Sequence, residues 1–416
     1  MPATLSDVLD ALNLSESEYI FSHKWDPSMA SMPVDAPGFL TSEQFIESRE
    51  RATLPAEVDE PLREAAAAVL AEPNLLRFAW HCHELLYTHL DYDTELTGDW
   101  PDEIDALGEL TPVLWLLIGL SAIPQMRAYH ERRRVPERIT YATVTHYPAS
   151  VEFYRMNNGG RWGIDPRVLY WLRNHTRGEL YQLGRFEYMV RPFAGRMRVF
   201  HNSADGRVIA LADEGTRFNP EGTIDAEGSA DGWTARLLAG DGSITGTPIS
   251  PTGVALDTEV SLDLDTWRAV LAPGYPMLDT HIPPGGGMTL ERCRDSMQQA
   301  LEFFPRYFPE RPFFGFGCIS WILDPQIAQW YRPDSNMVLF QEQLYLFPWP
   351  SGERDGLYNI FGRSDVDPAT QPAATSLERA VLDYLAGGGR MRTTGMFLLA
   401  EDFEHFGEKW YTQVQM

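Results

Sequence analysis

Asp279 and His281 sit just before a run of glycines, Ile282-Pro283-Pro284-Gly285-Gly286-Gly287-Met288-Thr289. In a strand, Met277, Asp279 and His281 point to one side, and Leu278, Thr280 and Ile282 to the other. The carboxylate and the imidazole then lie about 6–7 Å apart on one face. An imidazole titrates near neutrality, which suits proton abstraction. Asp279 can orient or charge it, or act itself through a water molecule. The glycines lead into a helix for which Thr289 is a suitable cap. A helix N-terminus leaves backbone N–H groups unpaired and attracts anions, and glycines let a phosphate approach closely. Arg292 and Arg294 in the first turns can add charge-assisted contacts. The same residues also make an ordinary sharp turn. No Gly-Lys-Ser/Thr follows, and the spacing is not that of a dinucleotide fingerprint.

These residues need a strand before the loop and a helix after it, and the surrounding chain supplies both. Residues 275–282 read as a strand. Residues 289–308 read as a helix, with Leu290, Cys293, Met297, Leu301, Phe304 and Phe308 along one stripe. A long strand follows over 313–323, with Cys318 and Ser320 on one face and Gly315 and Gly317 on the other. Asp324 caps a short helix that has Pro325 at its first position. Residues 345–347, 376–385 and 392–399 then read as strand, helix and strand. Upstream, 181–265 carries alternating patterns and Gly-rich turns, as in an antiparallel sheet; Ser203-Ala-Asp-Gly206 marks a hairpin. The first third is helical at 4–14, 61–70, 74–90 and 112–122, with a Pro-rich loop over 25–38. The chain is therefore expected to be α+β. An all-helical domain spans 1–150, and a mixed, mostly antiparallel sheet flanked by helices spans 151–416.

The order of strand, glycine turn, long helix and long strand resembles the C-terminal half of a GCN5-related N-acetyltransferase. In that fold the loop after the fourth strand holds the pyrophosphate of coenzyme A. The family's loop reads Gln/Arg-x-x-Gly-x-Gly/Ala, and here Ile282 stands first while Gly285 and Gly287 keep their places. The chain is similar more specifically to two-domain bacterial acyltransferases with a helical N-terminal domain. Leu180-Tyr-Gln-Leu-Gly-Arg-Phe186, His281-Ile-Pro-Pro-Gly-Gly286, Ser320-Trp-Ile-Leu-Asp-Pro325, Phe340-Gln341 and Thr375-Ser-Leu-Glu-Arg-Ala380 carry that likeness. It implies transfer of an acyl group from acyl-CoA to a small-molecule or peptide amine. Asp279 or His281 would act as base, Tyr331 would assist the leaving thiolate, and Ser320 would hydrogen-bond the acyl or amide group. Residues Ile282 to Thr289, with Arg292, would hold the coenzyme. Acyl carrier protein as donor, and a module that binds an acyl ligand without catalysis, are the alternatives.

Composition narrows the partners. The formal net charge is -25, from 59 acidic and 34 basic residues, so the surface as a whole repels nucleic acid and anionic membranes. The run Arg132-Arg-Arg134 is a short solvated patch, or a contact for a coenzyme phosphate or an acidic carrier protein. Cys82, Cys293 and Cys318 suggest no disulfide framework and point to a reducing, cytoplasmic setting. Cys318 in an apolar strand reads as packing rather than as a nucleophile. His81 and His83 lie about 200° apart on a helix and cannot share one ion, so no metal is expected. There is no Gly-x-Ser-x-Gly elbow. The apolar run 113–123 is too short to span a bilayer and reads as a buried helix.

Overall fold

The computed structural model describes residues 3–224, 228–283, 285, 287–352 and 354–413. The chain forms two compact units, Met1–Gln182 and Leu183–Met416. Sequence patterning places the boundary near residue 150. The first unit extends further because Tyr147, Val151, Ile164, Leu169 and Leu172 all pack into its core. Helices His146–Asn157 and Leu169–Thr176 therefore belong to it.

Up to Thr176 the regular elements of the first unit are all helices among its described residues. Its centre is Thr111–Leu120, ten residues that are all buried. Such a helix must be surrounded, and Asp59–Ala71 and Pro73–Tyr87 pack their apolar stripes against the same core. The stretch Gly108–Arg133 is long and apolar enough to cross a membrane by length and composition, and 78% of its most apolar window is buried inside the protein. The expected loop over 25–38 begins instead as a helix, Trp25–Ser31. Pro27 falls in its first turn, where a missing N–H costs nothing. Ser28 in this helix bridges His81 and His89, at 2.8 and 2.9 Å. His81 also reaches the Phe21 carbonyl at 2.8 Å, and His83 pairs with Ser121 at 2.8 Å. Both imidazoles are partners in packing, which accounts for the metal-like sequence His81-Cys-His83.

The second unit is built on a six-stranded sheet. Its order is Tyr181–Leu183, Phe186–Pro192, Pro276–His281, Gly315–Ser320, Thr394–Leu399, Tyr345–Pro348. The first strand runs through the boundary between the units. The two central strands, Pro276–His281 and Gly315–Ser320, are parallel, and their outer neighbours pair with them antiparallel. A five-stranded sheet that includes Met197–Asn202 and Val208–Ala212 is inserted between Phe186–Pro192 and Pro276–His281, with a smaller three-stranded sheet. The hairpin expected at 203–206 joins the first two of these strands.

Helix Leu290–Tyr307 covers one face of the six-stranded sheet. Thr289 caps it, its side chain accepting from the Arg292 N–H at 3.4 Å. Cys293, Met297 and Phe304 are buried as the stripe requires, and Ser296 and Ala300 complete it in place of Leu290 and Leu301. Ser296 ties the helix to the sheet. Its hydroxyl accepts from the Phe186 N–H at 3.0 Å and lies 2.9 Å from the Tyr188 hydroxyl. The strand expected over 313–323 is shorter, Gly315–Ser320, because Ser320 accepts from the Ile322 N–H and starts a 3-10 turn, Trp321–Leu323.

Candidate active site

The central parallel strands separate part-way along. Leu278 pairs with Phe316 and Asp279 with Gly317, where the register ends among the described residues. Beyond that point Pro276–His281 keeps its outer partner, with Thr280 opposite Tyr188 and His281 opposite Glu187. Gly315–Ser320 likewise keeps its own, through Ser320 opposite Thr394. Two strands that stay paired outward and part inward leave a wedge in the sheet. Thr280 and His281 line one edge of it, and Cys318 to Ser320 the other. The parallel register stops at Asp279 and Gly317, so an extended ligand carrying amide groups can enter where the strands diverge.

Asp279 stands at the apex. Paired residues share a face, so Asp279 and His281 project on the same side as Gly317 and Glu187. His281 Nε2 lies 3.0 Å from Asp279 Oδ2, each side chain less than one-third exposed. The expected pairing of carboxylate and imidazole is therefore formed. On this face a cleft of about 110 Å³ opens beside Asp279, lined among others by Met277, Phe193, Gly317 and Phe347. Arg191 stands at its rim, its Nε donating to Met189 Sδ at 2.9 Å.

The other sequence candidates are not all gathered here. Ser320 lies on the opposite face with Cys318, and its hydroxyl caps the turn that follows. Cys318 lines the cleft but is buried, and burial, then the charge of Asp279, pushes its thiol far above the ordinary range. Tyr331 follows the 3-10 turn Pro325–Gln329, where burial raises its phenol; it is not among the residues lining the cleft. Asp324 does cap that turn, accepting from the Gln326 N–H at 2.9 Å.

The glycine loop leads from the wedge to the N-terminus of Leu290–Tyr307. Gly285 and Gly287 have φ of +77° and +66°, values that a side chain would strain. Both are exposed, Ile282 and Pro283 are half-buried, and Met288 anchors the loop by burial. Pro284 and Gly286 lie outside the described residues. Arg292 is exposed at the first turn. Arg294 serves the fold instead, donating to the Phe406 carbonyl at 2.6 Å.

Two residues at this site escape sequence reasoning. Arg185 Nε donates to the Gly287 carbonyl at 2.7 Å, holding the loop from a site where burial lowers the guanidinium's pKa. Its signal was the Gly184-Arg185 turn between two strands, which says nothing of its partner. Glu187 is buried directly opposite His281, so a second carboxylate neighbours the imidazole on the sheet.

A strand, a glycine loop, a capped long helix and a second strand, in that order, is the arrangement of the acyltransferase fold that the sequence resembles. The family description "GNAT-like C-terminal domain" matches residues 180–398, just over half of the chain. The chain belongs to this GNAT-like family. An "N-acyltransferase N-terminal domain" matches residues 44–178, so the protein is a two-domain acyltransferase. No curated protein matches the chain in sequence. Among solved structures, an acyltransferase in complex with CoA and 10C-teicoplanin is similar, with a TM-score of 0.64 and 20% identity over 94% of this chain and 98% of its own. An acyltransferase mutant in complex with octanoyl-CoA gives 0.63 and 20%, and an acyltransferase in complex with decanoyl-CoA gives 0.59 and 21%, both with the same coverage. Identity at this level speaks for the fold.

Proposed function

We propose that this acyltransferase moves an acyl group from acyl-CoA to the nitrogen of an amine, by direct attack on the thioester. The observation that carries the reading is the wedge with the Asp279–His281 pair at its apex. The pyrophosphate of the coenzyme binds the loop at Gly285 and Gly287, where main-chain N–H groups and the helix terminus favour an anion. The pantetheine lies in the wedge alongside Thr280, and the thioester lies beside the apex. Asp279 or His281 takes a proton from the amine, directly or through water, as nitrogen bonds to the carbonyl carbon. The carbon–sulfur bond then breaks, and the thiolate takes up the proton that the base removed from the amine, leaving as the free thiol of CoA. Ser320 and Tyr331 have no part in these steps, since one caps a turn on the far face and the other lies outside the cleft.

Structurally similar acyltransferases hold octanoyl- and decanoyl-CoA, and two of them were captured with teicoplanin compounds. That supports acyl-CoA as donor rather than acyl carrier protein, and a small molecule as acceptor. The three cysteines are free and buried, which agrees with action in a reducing cytoplasm.

Release of free thiol from octanoyl-CoA in the presence of a panel of amines tests the reading, with calorimetric titration of CoA alongside. Wild type should bind CoA and release thiol only when an accepted amine is present. His281→Ala and Asp279→Asn should slow turnover by roughly 10²–10⁴ for whichever residue is the base, with CoA affinity little changed. Binding of acyl-CoA without turnover on any amine would favour the non-catalytic alternative.

A further inference from the structure

Three glycines lie on the Asp279 face of adjacent strands, and the protein needs only two of them. A Cβ on Gly315 would fall 2.3 Å from the Leu398 carbonyl, and one on Gly395 would fall 2.2 Å from the Phe347 ring. Those positions are closed by their neighbours. Gly317 is different. Its Cβ would meet only Met277 Cβ at 3.7 Å and the Met396 carbonyl at 3.9 Å, which is ordinary contact. Its φ is not positive. A strand gains nothing from a glycine at such a position, and glycine there marks close approach of something else. Gly317 is the last partner of Asp279 before the wedge, and it lines the cleft beside that carboxylate.

We infer that Gly317 sets the size of the acyl group, by leaving the cleft open for the chain that trails from the thioester. This rests on the acyltransferase function proposed above. The thioester carbonyl lies where the strands part, so its acyl chain runs toward the closed end of the wedge and over Gly317. The walls suit an alkyl chain, because Met277, Phe193 and Phe347 are apolar and buried. A glycine floor lets methylenes lie on the main chain itself. Met277, 3.7 Å from where a Cβ on Gly317 would lie, forms the neighbouring wall.

Titration of wild type, Gly317→Ala, Gly317→Val and Met277→Ala with CoA and with acetyl-, butyryl-, octanoyl- and decanoyl-CoA tests this, with thermal unfolding to verify each fold. In wild type, affinity should rise along the series. Gly317→Val should lower affinity for the longest accepted chain about tenfold relative to acetyl-CoA, the equivalent of roughly two buried methylenes. Gly317→Ala should fall between, and it keeps the test open if the valine variant folds poorly. Met277→Ala should shift preference toward longer chains. An equal loss for CoA and every acyl-CoA would make Gly317 a packing residue and overturn the inference. An unchanged series would overturn it too. If wild type itself binds neither CoA nor any acyl-CoA, the acyltransferase reading fails first, which is a distinct result.

Discussion

Replacing Arg185 with methionine isolates what holds the phosphate loop. The guanidinium donates to the Gly287 carbonyl at 2.7 Å across 102 residues of chain. Methionine keeps the apolar stem that packs in the buried site and removes only the charged head. A hydrogen bond from a charged group contributes about 1.5–3 kcal/mol. Gly287 is exposed, so in the variant its carbonyl takes a water, and the folded state is little affected. The melting temperature should fall by less than about 4 °C. Binding differs, because a loosened loop must be ordered again around the pyrophosphate, and the nearby positive charge is gone. Up to the full value of the bond should then be lost from coenzyme affinity, roughly 10- to 150-fold in Kd. Calorimetry with CoA and with an acyl-pantetheine lacking the pyrophosphate separates the contributions. CoA should weaken by this factor while the pantetheine ligand is unchanged. Equal weakening of both ligands would refute the assignment of Arg185 to the loop, and unchanged CoA affinity would refute the loop as the phosphate site.

Burial pushes the imidazoles of His81 and His83 down to about 4. Both are neutral when folded, and the unfolded chain binds more protons below about pH 6.5, so stability is full above that pH and falls toward pH 4. Each contributes up to about 3 kcal/mol to that fall; urea midpoints at about pH 7.5 and about pH 5 measure it, and His83→Gln should flatten the dependence. Cys293 and Cys318 should resist alkylation in the folded protein, because burial pushes the first thiol up to about 12 and the second higher still; rapid labelling without denaturant would contradict their placement. Tyr331→Phe should leave turnover within about twofold, and a larger drop in kcat would return the phenol to the thiolate.

Local signals carried the sequence reading furthest. The strand at Pro276–His281, the Thr289 cap and the helix behind it were all legible, because side-chain alternation and capping act over a few residues. The proximity of Asp279 and His281 followed from the same alternation. Arg185 and Glu187 were not legible, since each is defined by register between strands that the chain brings together only in the fold. Ser320 shows the limit from the other side. Its face was read from alternation, but which face carries the chemistry depends on the parting of the strands, and no residue type announces that. The unit boundary was displaced for a related reason: the last helices of the first unit are short and only partly apolar, and only their shared core assigns them.

The position of the Asp279 strand bears on how the protein comes to be active. Its outer partner, Phe186–Pro192, is synthesised long before it, and an entire inserted sheet is made in between. Its inner neighbour, Gly315–Ser320, is completed by Thr394–Leu399, near the other end of the unit. Closing such distant pairings is slow and exposes strand edges meanwhile. The helical unit can fold as it emerges, whereas the wedge takes shape only after nearly all of the second unit has been made. Activity should therefore appear late in refolding, well after the bulk of the helical signal, and a nascent chain that already holds every catalytic side chain should still be inert.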